Sequence, residues 1–166
     1  TLGFVTRAVL RLREKPKSIN TALLAVNSFD QVTKFLKHID KGLGGNLSAF
    51  EVMWEDFYKQ VTTEPALNSP PLTQGFPYYV LVETTGSNQT KDSEHFEELL
   101  EEALNSAIIE DAVISKSNSD RSSLWAIRDD VEQHYQDGPV KMFDVSMPIL
   151  SMEKYIKDVH KKFSEN

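Results

Sequence analysis

Arg128 is the residue of this chain whose type and surroundings most favour ligand binding. It follows Trp125 by three positions in the stretch SSLWAIRDDVEQHYQDGPVKMFDVSMPI, so both side chains share one face if this stretch is helical. A guanidinium can donate two parallel hydrogen bonds to a carboxylate, a geometry that lysine does not reproduce. One interpretation is that Arg128 binds the carboxylate of a small molecule. The other is structural, with Arg128 stacked on Trp125 and paired with Glu132; spacing alone does not choose between them.

Other residue types that often carry out chemistry do not show functional spacing. The chain contains no cysteine, which excludes a thiolate metal site and a thiol nucleophile. The motif GLGG at residues 42–45 follows a helical pattern instead of preceding one, so it predicts a helix C-cap and not a phosphate loop. The histidines are isolated from one another and are interpreted as solvated helix residues: His38, His95, His134 and His160. We therefore predict no metal site and no catalytic residue within this sequence.

Composition narrows the class of protein and its partners. A chain of 166 residues with 40% hydrophobic and 26% charged residues is long enough for one sizeable core. The net charge of -7 argues against a nucleic-acid backbone binder, because such proteins cluster lysine and arginine. No apolar run approaches the roughly 20 residues that a membrane-spanning helix needs. We expect a soluble protein, cytoplasmic because a cysteine-free chain suits a reducing compartment, with the mitochondrion as the alternative if the source is eukaryotic.

The hydrophobic pattern predicts the elements that must position Arg128. Apolar residues at every second position indicate strands, and apolar residues at every third or fourth position indicate helices. Strands are predicted at residues 7–13, 21–26, 47–54, 78–84, 108–114 and 140–147. Helices are predicted to begin at Ser28, at Trp54, near Asp92 or Ser93, before Leu124 and near Ser151, and residues 62–77 form a surface loop. The helix that carries Arg128 is predicted to bury Leu124, Ile127, Val131 and Tyr135.

The order of these elements predicts an α+β fold. Two β-α-β stretches separated by a loop, then α-β-α, favour a largely antiparallel sheet with its helices packed on one face. Such an arrangement is typical of two split βαβ units of the ferredoxin-like type. The first helix should be well defined, since Ser28 and Gln31 form a capping-box sequence.

Three separated motifs together resemble a known family. The first is TLGFVTRAVLRLREKP at the start, and the second is GGNLSAFEVMW in the middle. The third is discontinuous and lies towards the end, as SLWAIRDDV, then GPVKMFDVSMPI, then ME. They resemble the FAD-linked oxidases of the D-2-hydroxy acid dehydrogenase group, which includes D-lactate dehydrogenases, glycolate oxidase flavin subunits and D-2-hydroxyglutarate dehydrogenases. The resemblance implies that residues 1–16 are the last strand of an FAD-binding domain. It also implies that residues 17–166 belong to a ferredoxin-like cap domain that binds the substrate.

The resemblance also implies where the cofactor lies. The family's G-T-L-G-[IV]-[IV]-T segment runs against the flavin, and a glycine there lets the backbone approach closely. Here Phe4 replaces the usual Ile or Val, and the matching residues are Thr1, Leu2, Gly3, Val5 and Thr6. The part that binds the FAD pyrophosphate and the His-rich segment that holds a divalent metal and the catalytic base are not in the sequence. We therefore expect this fragment alone to be inactive and not to bind FAD.

For the substrate, the resemblance implies roles for three residues. The family motif L-W-x-[IL]-R-[ED] matches around Arg128, and its arginine binds the substrate carboxylate. Members that use dicarboxylates place a threonine one turn after this arginine and a lysine two residues before the next aspartate. Glu132 and Met142 occupy these positions here, and they would repel a second carboxylate or leave it unpaired. The expected substrate is a monocarboxylate such as lactate or glycolate, or some larger hydroxy acid.

An alternative of a different class remains open. The chain could be a free-standing ferredoxin-like module for small-molecule binding or dimerisation, in which Arg128 and Glu132 only pair with each other. A start codon directly before Thr1 would favour this alternative, whereas an upstream flavin-binding region and a downstream His-rich segment would favour the dehydrogenase. The sequence does not identify the electron acceptor or the oligomeric state.

Overall fold

The computed structural model describes residues 3–12, 14–133, 138 and 142–164. Within these residues the chain forms four strands and five helices. The strands are β1 Ser18–Val26, β2 Leu47–Trp54, β3 Tyr78–Gly86 and β4 Asp111–Ile114. The helices are α1 Phe29–Leu43, α2 Glu55–Val61, α3 Gln89–Asn105, α4 Asn118–Asp129 and α5 Ile149–Ser164. In the described part of the chain, none of these helices is long and apolar enough to cross a membrane.

The strands form one antiparallel sheet in the order β2-β3-β1-β4. Because β3 lies between β1 and β2, the unit β1-α1-β2 is a split βαβ, and β1 separates β3 from β4 in the same way. The predicted α+β fold with two ferredoxin-like halves is therefore confirmed. The short helix α2 is inserted between the halves, and α4 and α5 follow them.

The prediction that the helices pack on one face of the sheet is wrong. Helices α1 and α3 cover one face, where Leu24 and Val80 are buried. Helices α2 and α4 cover the opposite face, where Leu23 and Leu81 are buried. Successive strand residues point to opposite faces, so the unbroken apolar runs of β1 and β3 give the sheet two apolar faces. Both apolar faces must be buried, and one layer of helices can bury only one of them.

Helix α1 begins and ends as the sequence predicts. The side chain of Ser28 accepts a hydrogen bond from the backbone N–H of Gln31, and the Gln31 side chain accepts one from Asn27 in return. This reciprocal arrangement is the capping box. At the other end, Gly44 has a φ of 58°, the left-handed conformation that glycine adopts at little cost.

The contact between α1 and α3 shows roles for two residues that the sequence did not predict. Gly42 was predicted to belong to the C-cap, but it lies inside α1, where a Cβ would collide with Leu99 of α3. Its lack of a side chain therefore lets the two helices approach each other. The Nε2 atom of His38 is 2.8 Å from the carbonyl oxygen of Leu99, and the ring is half-buried. The prediction that His38 is a solvated residue is therefore wrong.

Several predicted boundaries are also wrong. Residues 7–12 and 142–148 do not form strands, because alternation supplies one apolar face but not a neighbouring strand to pair with. Helix α3 begins at Gln89 and not near Asp92, since Asn88 accepts the capping hydrogen bond from Lys91. Strand β4 covers only the last four residues of the predicted segment. The predicted strand residues 13, 140 and 141 lie outside the described residues.

Candidate carboxylate-binding site on helix α4

Helix α4 brings two arginines to the face of the sheet that carries α2. The Ser117 side chain caps the helix by accepting a hydrogen bond from the backbone N–H of Asp120. Leu124 and Ile127 are buried against the sheet and fix which side of the helix faces it. Arg121 and Arg128, two helical turns apart, lie on this side. Each arginine meets a glutamate from a strand.

Arg121 binds Glu83 of β3, whose carboxylate is buried and hydrogen-bonded on both oxygens. The two carboxylate oxygens accept from Nε at 2.7 Å and from Nη2 at 3.0 Å. Trp125 and Thr21 each donate a further hydrogen bond of 2.8 Å to Oε2. The Glu83 side chain is only 8% exposed. Burial alone would raise the pKa of Glu83, but the hydrogen bonds from Arg121, Trp125 and Thr21 outweigh it and hold the pKa below its usual value.

Arg128 binds Glu51 of β2 in a more open arrangement. Its Nε donates to Oε2 of Glu51 at 2.9 Å, and Nη2 lies 2.9 Å from the same oxygen. Nη1 donates to the neighbouring Asp129 at 3.1 Å. The Arg128 side chain is 40% exposed and that of Glu51 is 35% exposed. The hydrogen bond to Glu51, opposed by partial burial and aided by Asp129, raises the pKa of Arg128, so the group is always charged.

These contacts leave Arg128 with unused donors. The terminal nitrogens Nη1 and Nη2 each carry two N–H groups. The described side chains engage one group on Nη1, through Asp129, and the side of Nη2 that faces Glu51. The contacts of the described residues therefore do not use every N–H group on these two terminal nitrogens. A carboxylate is the acceptor whose geometry fits a pair of parallel N–H groups.

One cleft lies beside the second half of α4 and another beside α2, and Arg128 lines neither of them. One of ≈ 300 Å³ is lined partly by Leu67, Ser123 and Ile127. The other, of ≈ 440 Å³, includes Lys59 and Gln133 in its lining. Among the described residues, the guanidinium of Arg128 is thus partly exposed and lies outside these two clefts.

The other two predicted substrate residues do not join Arg128 in the described part of the chain. Helix α4 ends at Asp129, so Glu132 lies in an exposed turn beyond the helix and not one turn further along it. The partner of Arg128 is Glu51, and the predicted ion pair with Glu132 is wrong. Met142 is exposed in a segment without regular structure. The end of α4 also places Val131 at the surface, although the sequence predicts it to be buried, and Tyr135 lies outside the described residues.

The predicted cofactor residues lie in a segment that packs against little else. Thr1 and Leu2 are outside the described residues. Gly3, Val5 and Thr6 are exposed and in irregular structure, and neighbouring Phe4 is 98% exposed. Contact of this segment with a flavin stays a prediction. The described residues also contain no group of three or more His, Asp or Glu side chains arranged to hold a metal ion.

Sequence reasoning missed Glu83, Arg121 and Glu51. A signal for the first exists, because Glu83 interrupts the apolar run YYVLVE of a strand buried on both faces, and a charge there must be paired. Arg121 is then a candidate partner, since it lies on the same side of α4 as Arg128. Glu51 has a weaker signal, because β2 is an edge strand that is only partly buried.

Comparison with known proteins identifies the family. The model of the family described as FAD linked oxidases, C-terminal domain, matches residues 15–166. The chain is 30% identical over 162 residues to "D-2-hydroxyglutarate dehydrogenase, mitochondrial" of Danio rerio, covering 97% of the chain and 30% of that relative. It is 32% identical over 160 residues to the protein of the same name from Rattus norvegicus, covering 96% of the chain and 30% of that relative.

A third relative carries a different name. The chain is 30% identical over 166 residues to "Putative D-lactate dehydrogenase C713.03, mitochondrial" of Schizosaccharomyces pombe, covering 99% of the chain and 31% of that relative. The chain spans about three tenths of the length of these relatives. Because the family model covers nearly all of it, the chain belongs to the FAD-linked oxidases and corresponds to their C-terminal domain.

Proposed function

We propose that this chain is the substrate-binding cap region of an FAD-dependent dehydrogenase that oxidises a D-2-hydroxy acid to the 2-oxo acid. In this proposal residues 17–166 belong to the cap, and Arg128 binds the substrate carboxylate. The observation that carries the proposal is the half-exposed guanidinium, which Glu51 contacts at Nε and Nη2 and whose terminal nitrogens have N–H groups beyond those used by Glu51 and Asp129. An oriented cation with unused parallel donors is suited to bind a small carboxylate.

The contribution of Arg128 is to bind and orient the substrate. A 2-hydroxy acid has its reacting carbon next to the carboxylate, so a two-point contact to the carboxylate also restricts the position of that carbon. The oxidation removes a hydride from this carbon, which FAD would accept when bound, and a proton from the hydroxyl group. Neither step is assigned to a described residue, and the flavin contacts at Gly3, Val5 and Thr6 belong to this proposal as well.

We further propose a substrate with a single carboxylate, such as lactate or glycolate. The relatives from Danio rerio and Rattus norvegicus are named for D-2-hydroxyglutarate, a dicarboxylate, whereas the relative from Schizosaccharomyces pombe is named for D-lactate. Glu132 and Met142 favour the second kind of substrate. Neither side chain can form an ion pair with a second carboxylate, and the negative charge of Glu132 would repel it.

We propose two alternative cellular compartments for the protein. The absence of cysteine suggested the cytoplasm, and the names of the three relatives include the word mitochondrial. We retain both compartments as alternatives. Fractionation of source cells, with detection by an antibody against this chain, separates them.

The test of the proposed function is substitution of Arg128 in the full-length protein. We expect Arg128→Ala to lower kcat/KM for D-lactate or glycolate by about a hundredfold, because a charge-assisted two-point contact is lost. The melting temperature should change little, since half-exposed ion pairs contribute only about 0–1 kcal/mol. Lys34→Ala is the matched control, because it removes an exposed cation from α1 on the opposite face of the sheet. Normal kinetics combined with a large loss of stability would contradict the proposal.

One observation favours a second candidate function. The charge of Arg128 is already compensated within the chain by Glu51 and Asp129, as expected if the arginine only stabilises a ferredoxin-like binding or dimerisation module. In that case neither D-lactate nor glycolate would reduce the flavin of the purified full-length protein. Reduction of the flavin by either substrate, measured as the loss of its visible absorbance, would exclude this candidate.

A further inference from the structure

We infer that Glu51 is a positioning residue, which holds one edge of the Arg128 guanidinium so that its terminal nitrogens face the substrate carboxylate. This inference rests on the proposed function. It adds a residue from strand β2, far from α4 in the sequence, to a site that the motif around Arg128 alone does not complete.

The contact geometry separates the two edges of the guanidinium. The Oε2 atom of Glu51 is 2.9 Å from Nε and 2.9 Å from Nη2, so this one oxygen occupies the edge that these nitrogens share. The second edge, formed by Nη1 and Nη2, has N–H groups beyond the one that Nη1 donates to Asp129. A carboxylate of the substrate can approach this second edge without displacing Glu51.

Arg128 needs such a partner because its side chain is long and partly exposed. Free arginine side chains sample many rotamers, and fixing them costs up to about 2 kcal/mol of conformational entropy. A contact made before the substrate arrives reduces the entropy that binding has to offset. Glu51 thus makes the guanidinium ready for binding.

Glu51 is better placed than Asp129 to provide this orientation. It lies opposite Leu81 in the register of β2 and β3, and Met53, two residues further on, is buried on the same face. Its backbone is therefore fixed by the sheet. Asp129 is the last residue of α4, and its side chain is 59% exposed.

A purely electrostatic role of Glu51 predicts the opposite result. If Glu51 acted only through its negative charge, it would weaken the binding of an anion to Arg128, and its removal would lower KM. If Glu51 positions Arg128, its removal raises KM. The direction of the change in KM therefore distinguishes the two roles.

The experiment compares Glu51→Ala and Glu51→Gln in the full-length protein with FAD bound. With D-lactate or glycolate as substrate, we expect Glu51→Ala to raise KM by about tenfold, because the guanidinium loses its fixed orientation. Glu51→Gln should raise KM by no more than about threefold, because the amide oxygen still accepts a hydrogen bond from Nε. Glu94→Ala is the matched control, since it removes an exposed carboxylate from α3 on the other face.

The outcomes are separable from those of the proposed function. An unchanged or lower KM for Glu51→Ala overturns the positioning role, and so does a lower melting temperature with normal KM. Normal kinetics of Arg128→Ala in the same assay would overturn the proposed function itself. Impaired Arg128→Ala together with normal Glu51→Ala would overturn only the role of Glu51.

Discussion

Helix α4 forms two arginine–glutamate pairs of the same composition, two helical turns apart, in different environments. In the first pair, both oxygens of Glu83 are bound by Arg121, and Trp125 and Thr21 donate to it as well. In the second pair, only one oxygen of Glu51 is engaged by Arg128. Glu83 is 8% exposed and Glu51 is 35% exposed. In the first pair the carboxylate of Glu83 is buried although Arg121 is 35% exposed, whereas in the second pair both side chains are at least 35% exposed.

This difference has an energetic consequence. Removing one partner of a buried pair leaves an uncompensated charge and costs about 3–5 kcal/mol. Exposed pairs contribute about 0–1 kcal/mol, because solvent replaces the lost partner. The Arg121–Glu83 pair should therefore stabilise the docking of α4 on the sheet. The Arg128–Glu51 pair should matter more for binding than for folding.

The largest expected effect comes from breaking the buried pair. Arg121→Leu leaves the carboxylate of Glu83 buried without its cation, and we expect a loss of about 3 kcal/mol in the free energy of unfolding of the cap region. Hydrogen exchange of the backbone amides in β3 and α4 measures this loss in the full-length protein. The double variant Arg121→Leu/Glu83→Leu removes both charges and should recover much of it. A double variant less stable than Arg121→Leu would contradict this interpretation of the pair.

A conservative exchange at both arginines sharpens the comparison. Lysine keeps the charge but cannot offer two parallel N–H groups. We expect Arg121→Lys to lower the melting temperature and leave KM for the hydroxy acid within about twofold, whereas Arg128→Lys should lower kcat/KM by about tenfold at an unchanged melting temperature. Thermal unfolding and steady-state kinetics of the two variants, side by side, test this contrast. If one of the two variants had both the larger loss of melting temperature and the larger loss of kcat/KM, the two pairs would not differ in role.

The choice between one and two carboxylates gives a smaller effect. We expect Glu132→Thr/Met142→Lys to raise kcat/KM for D-2-hydroxyglutarate relative to D-lactate by about fivefold, because a repulsive charge is removed and a cation added. Competition between the two substrates at fixed enzyme concentration measures this ratio. Met142→Leu is a suitable control, because it keeps an apolar side chain at the same position. An unchanged ratio would show that these two side chains do not contact the substrate.

Much of the fold was predictable because local signals agreed with one another. The capping box at Ser28, the helical period of α1 and the apolar run of β1 each identify one element without knowledge of the rest. The second layer of helices was less evident. The unbroken apolar runs of β1 and β3 imply that both faces of the sheet are buried. The alternating pattern of the edge strand β2, in contrast, suggests only one buried face.

The candidate site was only partly predictable for a different reason. Arg128 was identified from its motif, but its partner Glu51 lies 77 positions away in the chain, and strand register decides that contact. The pairing with Glu132 failed because α4 ends at Asp129, whereas the apolar spacing of Val131 had suggested a longer helix. Periodicity thus identifies the face of a helix more securely than its end.

The smallest expected effect is a pH dependence that belongs to the buried pair. The pKa of Glu83 lies below its usual value of 4.5, because the hydrogen bonds from Arg121, Trp125 and Thr21 outweigh burial. Above this usual value both the folded and the unfolded states carry the charged carboxylate, and the full stabilisation is present. As the pH falls, the unfolded state binds a proton first, so stability is lost progressively until the folded carboxyl is protonated too.

Glu83→Gln tests this linkage, because an amide has no proton to exchange in this range. We expect the wild-type chain to have the higher melting temperature at neutral pH and the difference from Glu83→Gln to shrink as the pH falls below the usual carboxyl pKa value of 4.5. Thermal unfolding of the full-length protein in buffers across this range measures the difference. A constant difference between wild type and Glu83→Gln would show that Glu83 does not titrate with unfolding, and the buried pair would then lose its distinguishing electrostatic role.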